Sequence, residues 1–72
     1  MVYRVTYMPD ENFEMTLFRS MVERDCWDYI RRRLAKENCP LEVEDLFVVN
    51  HCGEFCELPA DLFAVKEYRR AS

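Results

Sequence analysis

Apolar and polar positions first follow the two-residue period of extended chain. Val2 to Met8 is rich in β-branched and aromatic side chains, with Tyr3, Val5 and Tyr7 on one face, and the cluster Pro9-Asp10-Glu11-Asn12 supplies a turn. This predicts a first strand. Phe13-Glu14-Met15-Thr16-Leu17 then alternates, which places Phe13, Met15 and Leu17 on one face of a second strand, paired antiparallel with the first as a hairpin.

The period then lengthens. Ser20 followed by Glu23 has the spacing of a capping box, in which the hydroxyl accepts from the third helical amide and the carboxylate reaches back to the cap. Val22, Cys26, Tyr29, Ile30 and Leu34 recur at helical spacing as a buried stripe with Trp27 on its flank, and Asn38 and Cys39-Pro40 supply the stop. The pattern predicts a helix of about four to five turns.

Beyond an acidic connection, Leu46-Phe47-Val48-Val49 is a short unbroken apolar run. It fits a strand buried on both faces better than an edge strand. Gly53 marks a tight turn into a fourth strand, Phe55-Cys56-Glu57-Leu58. From Pro59 a last short helix is expected, with Asp61 in its first turn and Leu62, Phe63, Val65 and Tyr68 as apolar positions. The expected class is therefore α+β: a four-stranded antiparallel sheet built as β-hairpin, helix, β-hairpin, with one long helix on one face and a short C-terminal helix. Residues 1–72 read as one domain without repeats or linkers.

Composition sharpens this picture. At 72 residues, folding buries only about 60% of the surface of the unfolded chain, so the core is small. Half of the residues are apolar, 14% are aromatic and one is glycine, the make-up of a folded domain and not of a linker. Arg4 and the polar residues that follow interrupt any apolar leader core, and no apolar run approaches the roughly 18 residues of a membrane span. A cytoplasmic location is expected. In a reducing compartment Cys26, Cys39, Cys52 and Cys56 are expected as free thiols.

Candidate chemistry is sparse. His51-Cys52-x3-Cys56 is the densest cluster of metal-capable side chains, with Cys26 or Cys39 as a further ligand, but only half of a paired zinc-ligand pattern is present. Free cysteine is among the most buried residue types, so core filling is the expectation and a zinc-stabilised or redox-responsive domain the alternative. Catalysis by a thiol needs a positioned base and a third group to orient it. The single histidine adjoins Cys52 on what reads as a strand end, where neighbours point to opposite faces, so no catalytic site and no cofactor are expected.

Arg31-Arg32-Arg33 with Lys36 makes the last helical turns basic, which complements the negative helix end, and Asp28 is spaced to pair with Arg32. Direct nucleic-acid binding is disfavoured by the net charge of −4 and the lack of a Gly-rich phosphate loop.

The charge map carries more. Between Lys36 and Lys66 there is no Lys or Arg, while Glu37, Glu42, Glu44, Asp45, Glu54, Glu57 and Asp61 all fall there. Such a half either solvates a small domain or steers it toward a basic partner. A single helix also covers only one face of a four-stranded sheet, while both faces read as apolar. The C-terminal segment, a partner protein or a second copy should cover the other face.

The size, acidity and plan are similar to those of many small phage and mobile-element inhibitors, including some anti-CRISPR proteins. That resemblance implies an inhibitor or regulator of a nucleic-acid-handling, phage-defence type of protein. The expected function is a non-enzymatic protein-binding module that uses Glu42, Glu44, Asp45, Glu54, Glu57, Tyr3 and Tyr7. The alternatives are the zinc or redox domain built on His51, Cys52 and Cys56, and a homodimeric structural subunit.

Overall fold

The structure, a computed structural model, describes residues 1–36 and 41–64. Its elements are strand β1 (Tyr3–Asp10), strand β2 (Phe13–Ser20), helix α1 (Glu23–Ala35), a short 3-10 turn over Val43–Asp45 and strand β3 (Leu46–Val49). The chain turns helical once more over residues 60–64. The class is α+β, with an antiparallel sheet of three strands in the order β2-β1-β3.

The first hairpin is longer than the sequence pattern implies. Pro9 and Asp10 belong to β1, and the turn shrinks to Glu11 and Asn12, closed by the Asn12 amide donating to Asp10 Oδ1 at 2.7 Å. Pairing runs Val5 with Phe18 but Thr6 with Thr16, so Leu17 is an extra residue on β2. That bulge turns Phe18 onto the helix-covered face, whereas Phe13 and Met15 remain exposed near the hairpin tip.

Ser20 ends β2 and does not form the expected capping box. Its hydroxyl oxygen accepts from the Val22 amide at 3.0 Å and the hydroxyl donates to Asp25 Oδ2 at 3.1 Å, while the N-cap position is Val22, without a side-chain cap. The Glu23 carboxylate is engaged elsewhere, accepting from Trp27 Nε1 at 3.0 Å. The buried face of α1 is correspondingly rotated from the expected stripe. Cys26, Trp27 and Ile30 are buried, Tyr29 and Leu34 flank them, and Val22 is exposed. Trp27 therefore sits at the centre and not on the flank. The expected helix stop at Asn38 and Cys39-Pro40 lies outside the described residues; Lys36 is the C-cap.

The core joins Cys26, Trp27 and Ile30 of α1 to Val5 of β1, Leu46 and Val48 of β3, and Leu62. Each fully buried aliphatic side chain there contributes roughly 1.5–3 kcal/mol. Phe18 stacks on Tyr29 at 4.7 Å between centroids, and the Arg33 guanidinium lies over the same tyrosine at 5.9 Å, which ties β2 to the back of the helix.

The expected fourth strand does not form. Phe55 makes one isolated bridge to Val49, and the Cys56 amide donates to the Val48 carbonyl at 2.7 Å. The outward Leu46 amide is already used by the Val43 carbonyl, and Pro59 has no amide to offer, so pairing stops after one rung. β3 is thus an end strand and β1 the central one, although Leu46, Val48 and Val49 are all buried. Leu62 joins the cluster under α1. The C-terminal turn over residues 60–64 therefore covers the same side as the long helix and not the second sheet face; Val65 and Tyr68 lie outside the described residues.

Candidate functional site

Two features stand out on the stretch that follows α1: a recess along β3 and the turn that leaves that strand.

The recess is built from both sides of β3. Val49 and Phe55 face each other across the bridge, and Phe55 stacks on Phe47 with 5.0 Å between centroids. Leu46, Cys56 and Trp27 come from the core side. These three, the two phenylalanines, Val43, Glu44 and Leu58 line a recess of about 180 Å³. A second, more open hollow adjoins it at Leu58, lined by Glu57, Ala60 and Phe63. Phe55 is 61% and Phe63 54% exposed, so two aromatic rings border these neighbouring hollows.

Acidic side chains frame this strip. Glu44 lines the recess, Glu57 lines the adjoining hollow, and Glu54 precedes Phe55 on the turn and is exposed. Glu42 is exposed and Asp45 half-buried on the connection that leads into β3. Five of the seven sequence-predicted contact residues thus lie on the segment that carries the recess. Tyr3 and Tyr7 do not: both pack against the core cluster on the side of α1, and Tyr7 meets Phe13 edge-on at 6.0 Å.

The turn after β3 is organised by Asn50. Its amide donates to the Glu54 carbonyl at 2.9 Å, its carbonyl accepts from Gly53 at 3.0 Å, and its side-chain Oδ1 accepts from the amides of Cys52 and Glu54 at 2.9 and 3.0 Å. Gly53 adopts φ +81°, the left-handed conformation that a glycine takes without strain. The signal in the sequence is Asn50 shortly before Gly53, an Asx residue able to bond the amide two residues on, followed by a residue free to turn left-handed.

On this turn His51 and Cys52 are not on opposite faces. Cys52 Sγ lies 3.3 Å from His51 Nε2, and both side chains are exposed. They line a broad open recess of about 690 Å³ with Arg4, Asn50 and Gly53. Cys56 is separate from them, half-buried against the core. Among the described residues no three His, Cys, Asp or Glu side chains gather to metal-binding distance. Cys39 lies outside the described residues.

The thiols differ in character. Burial pushes Cys26 up to about 11, with Asp25, Cys56 and Glu23 adding negative charge around it. Cys56 is also raised, by burial and by the Glu23 carboxylate beside it. Both are poor nucleophiles at neutral pH.

At the basic helix end, Arg31 is engaged on two sides. Arg31 donates from Nε to Asp61 Oδ2 at 2.8 Å and from Nη2 to Asp61 Oδ1 at 3.0 Å, while Nη1 reaches Asp28 at 2.8 Å. Asp28 therefore pairs with Arg31 and not with Arg32. The guanidinium holds the Asp61 carboxyl below its ordinary value, and these carboxylates in turn raise Arg31.

Comparison of the chain with family models, with curated proteins and with solved structures finds no match in any of the three. Among the described residues no helix is long and apolar enough to cross a membrane.

Proposed function

We propose that this chain is a non-enzymatic protein-binding module, an inhibitor or regulator, whose recess beside β3 takes a basic segment anchored by one apolar side chain. The observation that carries this reading is Phe55. It is a large aromatic ring held against Phe47 on one side and exposed on the other, at the mouth of a recess bordered by Glu44. An apolar anchor surrounded by one sign of charge is the arrangement in which burial supplies affinity and the charged rim supplies steering and choice of partner. Glu54 and Glu57 extend the rim. A nucleic-acid-handling protein, with a groove shaped for phosphates, presents such a basic surface, which fits the inhibitor reading.

The test uses Trp27, the only tryptophan of the chain and part of the recess lining. Peptides that combine Arg or Lys with one leucine or phenylalanine anchor should change its fluorescence on titration. Binding should weaken at least about tenfold in Phe55→Ala, and it should lose most of its salt dependence when Glu44 and Glu54 are reversed to lysine. Binding that is indifferent to both changes, or equal for uncharged peptides, overturns the reading.

A further inference from the structure

We propose that His51 and Cys52 are one half of a zinc site that a second copy of this chain completes. The pair is a two-point chelate at the tip of the turn that leaves β3. The 3.3 Å between Cys52 Sγ and His51 Nε2 is close to the separation of about 3.5 Å that a thiolate and an imidazole nitrogen take on a shared tetrahedral zinc, from bond lengths of about 2.3 and 2.0–2.1 Å. Little movement is needed to open the pair onto a metal.

The backbone that carries the pair is held in place. Asn50 Oδ1 fixes the Cys52 amide at 2.9 Å, and the Gly53 amide closes on the Asn50 carbonyl. Metal binding then has only the two exposed side chains left to order. Cys26 and Cys56 do not compete, because burial raises both thiols and the core holds them.

The described residues of one chain offer two of the four ligands that a structural zinc takes. Among the described residues nothing adds a third His, Cys, Asp or Glu to the pair. A two-fold related copy supplies the same two atoms and closes a Cys2His2 tetrahedron. The turn permits that approach. Both ligands are exposed, and a side-chain carbon built on Gly53 meets nothing within 4 Å.

Charge does not oppose the centre. Each thiol releases its proton to solvent on binding, and each imidazole donates its Nε2 lone pair as the neutral ring. Two thiolates then cancel the divalent charge, so the Arg4 that lines the same recess faces a neutral centre.

Zinc titration of the full chain, followed by native mass spectrometry and light scattering, tests this. The expected product is a dimer with one zinc per two chains. Cobalt in place of zinc should give the visible bands of a tetrahedral site and a thiolate charge-transfer band. Because both side chains are exposed, His51→Ala and Cys52→Ser leave the core intact, and each should abolish the dimer, whereas Cys56→Ser and Cys39→Ser should keep it. A chain that stays monomeric under zinc, a one-to-one complex, a dimer that survives Cys52→Ser or one that requires Cys56 or Cys39 overturns the proposal.

Discussion

The ring of Phe55 stacks on that of Phe47 with 27° between their planes, yet Phe55 keeps 61% of its surface in solvent while Phe47 is half-buried on β3. The pair is half of a sandwich. The inner ring is positioned by the sheet register, Phe47 opposite Thr6, and the outer ring by the Asn50 turn and a single bridge to Val49.

Stability and recognition should therefore separate at this pair. Phe55→Ala removes a contact worth about 0.5–1.5 kcal/mol and little buried area. Trp27→Phe, at a position only 4% exposed, removes core volume together with the bond from Nε1 to Glu23, and should cost about 2 kcal/mol. Urea unfolding of the two variants checks the order. Equal losses would mean that Phe55 is structural and not an exposed anchor.

The three described thiols should react in a fixed order. Cys52 is exposed beside an imidazole, Cys56 is half-buried and Cys26 is buried, with its thiol pushed up to about 11. Iodoacetamide at pH 8 should modify Cys52 first and Cys26 only at the rate of unfolding, as read by peptide mass mapping over time.

These residues also show how far the sequence is legible. The first hairpin and the long helix follow from local period, and β3 from its unbroken apolar run, because none of them needs distant information to declare it. Trp27 lies at the centre of the helix's buried face while Tyr29, beside it, stacks on Phe18, and Phe18 reaches the helix face only through the bulge at Leu17. A single extra residue is invisible to an alternation rule. The fourth strand failed for a similar reason: alternation described Phe55 to Leu58, but pairing depends on which outward groups of β3 remain free. His51 and Cys52 were individually visible. That they touch is a property of the turn, whose two-residue reach breaks the opposite-face rule of a strand.

The fork between Arg31 and Asp61 should make stability depend on pH in one direction. The carboxyl is held below its ordinary value in the folded chain, so its contribution is complete above the unfolded carboxylate range and is lost as pH falls through the folded value. Asp61 is exposed to solvent, so the effect is small. Asp61→Asn should melt slightly below the wild type at pH 7, and the two curves should converge as pH falls through the folded value of the carboxyl. A gap that persists once Asp61 is fully protonated would show that the side chain acts through the helical turn over residues 60–64 and not through charge.

The turn after β3 should be sensitive at one side chain. Asn50→Ala removes the acceptor of two backbone amides, Cys52 and Glu54, and should cost about 1–2 kcal/mol. Gly53→Ala introduces a side chain at φ +81°, where open space avoids any clash but the backbone conformation still costs about 1–2 kcal/mol. Since the two residues hold one turn, the double variant should lose less than the sum. Additive losses would mean that the turn opens in separate steps.

Thr6 offers a change in the opposite direction. It sits on the central strand between Val5 and Tyr7, is fully buried, and its Oγ1 has no hydrogen-bond partner among the described residues. A buried hydroxyl without a partner has lost its hydration and regained nothing. Thr6→Val keeps the branched shape that the strand favours and exchanges the hydroxyl for a methyl group of similar size. Its neighbours across the sheet, Thr16 and Phe47, stay as they are. The variant should gain about 1 kcal/mol in urea unfolding with an unchanged slope. A loss of stability would instead show that the hydroxyl is satisfied in solution, and a bound water at Thr6 would then be part of the fold.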